Sequence, residues 1–102
     1  MATLYSTQFV SRGASTGVHS VAVPSGFIWV VRSISMYGSQ SAGTAIATVF
    51  LGSGGTVYAV SLAPESFGTW SGRQVVNTAD TLEVFSSLAT DFLVSGYALS
   101  TP

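Results

Sequence analysis

A chain of 102 residues makes one domain, 1–102, able to bury about 60% to 70% of the surface its unfolded form exposes. Charged residues are 7% of it, against roughly 25% in ordinary soluble domains, and the basic set is Arg12, Arg32 and Arg73 with no lysine. A net charge of -1 without basic clusters excludes recruitment to nucleic acid or anionic membrane, and the lack of cysteine excludes disulfides and thiolate metal sites.

An aromatic content of 12% argues against disorder. Residues 1–7 lack a basic stretch followed by an apolar block, so no secretory signal is expected. No apolar run approaches the ~20 residues of a membrane helix.

Residues 4–11 alternate, with Tyr5, Thr7 and Phe9 on one parity, and predict a first strand. The small residues 12–17, RGASTG, read as a flexible turn. A second strand follows at 18–23, with His19, Val21 and Val23 sharing a face, and ends at Pro24-Ser25-Gly26. The stretch 23–38, VPSGFIWVVRSISMYG, is rich in β-branched and aromatic residues and predicts a long central strand. Alternation within it fails near Arg32. A β-bulge there, or burial of the first half on both faces, would account for the failure; double coverage is the expectation, with Ile28 and Trp29 on opposite faces.

Residues 38–43, GSQSAG, form a polar loop. A strand at 44–51 carries Ile46 and Phe50 on one face and Ala47, Val49 and Leu51 on the other, so both faces are expected to be buried. Gly52-Ser53-Gly54-Gly55 turns it into a hairpin with 56–62. Pro64-Glu65 makes the next corner, 67–76 the next strand, 77–80 a turn, and 82–85 and 91–99 the last two strands. About eight short strands without helical periodicity predict an all-β fold, an antiparallel β-sandwich or jelly roll.

The succession VPSGFIWVVRSISMYG, TAIATVFLGSGGTVYAVSLAPESFGTW, RQVVNTADTLEVFSS and DFLVSGYAL resembles the small all-β virion proteins of tailed bacteriophages. The shared features are a Pro-x-Gly turn feeding a Trp-containing strand, a Gly-rich hairpin and an Asp-Thr-Leu turn-to-strand step. The resemblance implies a head-decoration or minor tail component, oligomeric and often trimeric, located in the virion and partnered by itself and by capsid or tail proteins.

Catalytic chemistry finds little support. His19 is the only histidine, and nothing in its spacing from Asp80 or Asp91 suggests a Ser-His-Asp triad. Glu65 and Asp80 lie in turns and Asp91 at a strand start, where such side chains bond neighbouring backbone N–H groups. One histidine, no cysteine and no calcium-loop spacing leave no metal site, and no cofactor is expected. The glycines at 52–55 precede a strand and lack the lysine of a phosphate loop.

Aromatics are the remaining handle. Trp70, between Thr69 and Ser71 and near Arg73, together with Tyr58, Tyr97 and Phe85, are candidates for a protein interface. Trp70, Tyr97 or Tyr58 stacking on a host glycan is the alternative. The chain also carries more apolar side chains than one sandwich core requires, among them Phe85, Leu93, Tyr97 and Leu99 off the parity of their partners. With few charges to guard edges and faces, burial against other subunits is expected. The reading is a non-enzymatic structural subunit of a virion.

Overall fold

The computed structural model describes residues 4–101, with side chains described from Ser6 onward, so the outlook of Tyr5 lies outside the described residues. The fold is all-β and antiparallel. Its elements are β1 (Leu4–Ala22), β2 (Phe27–Gly38), β3 (Ala45–Leu51), β4 (Thr56–Leu62), β5 (Phe67–Val76) and β6 (Thr81–Ser100).

Among the described residues there are six strands rather than eight, because two pairs of expected segments are each one long strand. The 12–17 stretch does not reverse the chain. It contains register shifts in β1, around Ser15, while β1 keeps pairing with β6 from Leu4↔Leu99 to Ala22↔Thr81. Ala14 and Gly17 take positive φ values of 47° and 78°, and Ala14 N–H donates to Asp91 Oδ1 at 2.7 Å, which fixes the irregularity against β6. Residues 86–90 likewise stay within β6.

β6 is the hub. The sheet path runs β4-β3-β6-β2-β5, with β1 also on β6. The first half of β6 pairs with β3 (Val84↔Val49) and the second with β2 (Val94↔Ile34), so β6 and β1 are shared by two four-strand groups. Its even positions face the core throughout: Leu82, Val84, Ser86, Thr90, Phe92, Val94 and Ala98 are all buried. The ends of the path approach each other and nearly close the sheet into a barrel. A side chain added at Gly68 of β5 would meet Val60 Cγ1 at 3.0 Å and the Tyr58 hydroxyl at 3.1 Å, both from β4.

Double coverage of β2 is corrected by the register. Between Val31 and Ser33, β2 shifts against both neighbours, which is a bulge at Arg32. The extra residue brings Trp29 and Val31 into step with Ile34 and Met36, all four buried, and leaves Ile28 and Val30 half-exposed on the other face. The same zone of the sheet carries an extra residue in β1, between Gln8 and Val10, and in β5, between Ser71 and Gln74. Gly96 of β6 makes room for the β2 bulge: a Cβ there would lie 2.0 Å from Val30 O and 2.9 Å from Arg32 N.

β3 is also buried on one face only. Ala45, Ala47 and Val49 enter the core, whereas Ile46 is 55% exposed. The core is completed by Phe9 stacked on Trp29, centroids 4.4 Å apart, and by Val10, Val23, Leu62 and Val76.

Candidate functional site

Which face each side chain takes follows from strand pairing, because directly opposed residues share a face. On the outer face of the group β1-β6-β2-β5, successive rows read Leu99–Ile28, then Tyr97–Val30–Val75, Ser95–Ser33–Ser71, Leu93–Ser35–Thr69 and Asp91–Tyr37–Phe67. Apolar rows thus sit at one end, an uncharged hydroxyl belt crosses the middle, and an aromatic pair marks the other end. Ser33 and Ser95 satisfy each other across the belt at 2.7 Å. Val75, Leu93 and Tyr97 are exposed, and Phe67 is 73% exposed. The smaller outer face of the other group carries Val18 and Ile46, both exposed, with Phe85 between their strands.

The five sequence candidates are not gathered into one site. Tyr97 stands on the large outer face, and Arg73 is exposed in the β5 irregularity. Phe85 is half-buried on the outer face of the other group. Trp70 pairs with Ile34 and is half-buried against the core, its ring covering Gly72, where a Cβ would lie 2.8 Å from Trp70 Cζ2. Tyr58, opposite the buried Val49, also packs on the core. The signal missed in the sequence is the pairing of Tyr37 with Phe67, ring centroids 4.8 Å apart and tilted by 47°. The two lie thirty positions apart, and only the β2–β5 register brings them together.

Polar groups are occupied in structural work. His19 Nε2 lies 2.9 Å from Thr16 O, which uses that nitrogen as a donor. Asp80 fastens two turns: its Oδ1 accepts from Ser53 N at 3.0 Å and Thr81 N at 2.8 Å, and its Oδ2 accepts from Ser53 Oγ at 2.7 Å. The Ser53 hydroxyl first, then the Thr81 amide, hold the Asp80 carboxyl below the usual carboxylate range. Glu83 Oε1 accepts from Ser20 Oγ at 2.6 Å. Among the described residues no three His, Cys, Asp or Glu side chains gather into a metal-binding group. Nor, among the described residues, is any helix long and apolar enough to cross a membrane.

Comparison with known proteins bears on the fold. No protein-family model matches this chain, and no curated protein matches it by sequence. Among solved structures, it is similar to a protein of Bacillus endospore appendages, described as a family of disulfide-linked pili, with a TM-score of 0.54 and 15% identity over 99% of this chain and 90% of that one. It is also similar to part of a chain of the T13 viral particle of infectious bursal disease virus, with a TM-score of 0.53 and 12% identity over 98% of this chain. It spans 31% of that viral chain. At such identities the likeness is one of fold.

Proposed function

We propose that this chain is a non-enzymatic structural subunit that packs against copies of itself in a virion, resembling the small capsid-decoration or minor tail proteins of tailed bacteriophages. The observation that carries the reading is the row Ile28, Val30, Val75, Tyr97 and Leu99 on the outer face of β1-β6-β2-β5, apolar and outside the core. These apolar residues fill one end of the whole outer face, which at four strands about 4.8 Å apart by some 12 residues rising about 3.3 Å each measures roughly 750 Å². That is close to the ~800 Å² each partner contributes to a standard specific interface. A face poor in charge and rich in aromatic and aliphatic groups has the composition of an interface core.

The likeness in fold to a pilus protein and to part of a viral particle supports a role in assembly. With no cysteine, contacts between copies of this chain would be held by packing, unlike the disulfide links named for the pilus. Light scattering on the purified chain across a concentration series tests the proposal. The expected result is a defined oligomer, reduced to monomer in Val30→Glu/Tyr97→Lys while the melting temperature is kept, since both side chains lie outside the core and their opposite charges face each other across β2 and β6. A monomer up to millimolar concentration overturns it.

A further inference from the structure

β4 and β5 close on each other where Gly68 meets Val60 and Tyr58, which leaves β1 as the open edge of the sheet: among the described residues it pairs with β6 alone. Its first half is broken by the extra residue between Gln8 and Val10, but 17–22 run in unbroken register, from Gly17↔Ser86 to Ala22↔Thr81. The direction of the backbone groups in that run follows from its neighbours. Thr81 O accepts from Gly52 N at 2.9 Å, on the β3 side of β6. Ala22, opposite Thr81, therefore turns its own N–H and C=O away from β6, and by alternation so do Ser20 and Val18. Val23 N, which donates to Asp80 O at 3.0 Å, keeps the opposite phase. Val18, Ser20 and Ala22 are all exposed, and no group among the described residues takes up their backbone donors and acceptors.

We infer that this edge pairs antiparallel with the same edge of a second copy, about a two-fold axis at Ser20. Directly opposed residues share a face, so Val18 of one copy lies against Ala22 of the other, and His19 against Val21. The opposed pairs Val18–Ala22, Ser20–Ser20 and Ala22–Val18 each exchange both N–H···O bonds, and every free group of the edge finds a partner. A centre at His19 would instead set two imidazoles together and Ala22 against the irregular stretch at Thr16. On the outer face the row Thr48–Phe85–Val18 continues into the other copy, where the 56% exposed Val18 gains an apolar neighbour. Residues 17–22, GVHSVA, contain none of the Lys, Pro or acidic residues by which edges repel their own kind. A strand of an unlike protein would gain the same backbone bonds but would find no charge here to select it. Five residues a side bury far less than the ~800 Å² per partner of a standard interface, so the pairing forms within an assembly that the large outer face already holds together, and it rests on that reading.

Because the chain has no cysteine, introduced cysteines report the register. Ser20→Cys faces its own counterpart with Cα atoms about 5.5 Å apart, inside the span of a disulfide, whereas Val18→Cys is offset from its counterpart by about 13 Å along the strand. Both positions are exposed, so neither variant alters the core. Mild oxidation followed by non-reducing electrophoresis should give a Ser20→Cys dimer at a yield at least about tenfold above Val18→Cys, and Val18→Cys/Ala22→Cys should regain that yield. In the Val30→Glu/Tyr97→Lys background the Ser20→Cys dimer should fall together with the oligomer. An oligomer by light scattering without the Ser20→Cys dimer, or with equal yields from Ser20→Cys and Val18→Cys, overturns the inference and leaves the face contact standing; an edge that takes a strand of an unlike protein gives that same result. A monomer without the dimer overturns both.

Discussion

Replacing Gly96 by alanine is the sharpest probe of how β2 is built. The new Cβ would sit 2.0 Å from Val30 O, 2.9 Å from Arg32 N and 3.0 Å from Val30 C, all backbone atoms that no rotamer change can move aside. The strand then has two ways out. It can shift the packed backbone, at the ~1–3 kcal/mol of an overfilled core, more for a collision this short. Or it can lose the bulge at Arg32, turning Ile34 and Met36 out of the core; both are at most 1% exposed, and each contributes about 1.5–3 kcal/mol through burial. Either route costs about 3 kcal/mol or more, out of the ~5–15 kcal/mol that hold a domain folded. Urea unfolding of Gly96→Ala should show this loss at an unchanged m-value. Deleting Arg32 restores strict alternation of Trp29, Val31, Ile34 and Met36, so in that background the cost of Gly96→Ala should fall clearly, a coupling read from the double-mutant cycle. A loss under about 0.5 kcal/mol, or the same loss with and without Arg32, refutes the role given to the bulge.

Three further outcomes are expected. The Asp80 carboxyl has a folded-state pKa below its ordinary 3.8, so its contribution is present above that value and is lost as pH falls through the lower folded-state value. Melting temperatures of wild type and Asp80→Asn should therefore differ most at neutral pH and converge in acid; parallel curves would show that the carboxylate does not hold the two turns. Gln40 is buried and donates from Nε2 to Leu62 O at 2.8 Å and Gly43 O at 3.1 Å, so Gln40→Glu replaces a donor by a charge facing two carbonyls. That variant should lose more than about 2 kcal/mol at pH 7, and its deficit should shrink toward pH 4 as protonation of a carboxyl with a raised folded-state pKa returns a donor. Trp29→Ala removes a ring 7% exposed and stacked on Phe9, and should cost about 3–5 kcal/mol by chemical denaturation.

Strand positions were readable from alternation and turn residues, and the β3–β4 hairpin stands where its glycines indicate. Strand continuity was not. A residue with positive φ serves a chain reversal and a bulge equally well, so RGASTG looks like a turn until its partner is known. That partner, Asp91, is 77 positions away from Ala14. The parity of β6 was present in the sequence, since Leu82, Val84, Ser86, Leu88, Thr90, Phe92, Val94, Gly96 and Ala98 run without a break. The small and polar members of that run concealed it. At Arg32 the failed alternation was legible and its cause was not, because room for a bulge comes from Gly96 on another strand. The same limit governs the surface: the polar neighbours of Trp70 leave both a packed and a partly exposed ring open, and the fold uses that ring against the core and presents Phe67.

β6, the hub of both four-strand groups, is also the last of the six strands in chain order. As the chain emerges from the ribosome, β3–β4 and β2–β5 can pair early, but β1 has no partner and neither pair can join the other until β6 arrives. A nascent chain stopped anywhere before Thr81 therefore displays Val49, Ile34 and Phe9 without the strand that buries them together. Such late, long-range closure makes folding slow and leaves apolar strands open to neighbours during synthesis.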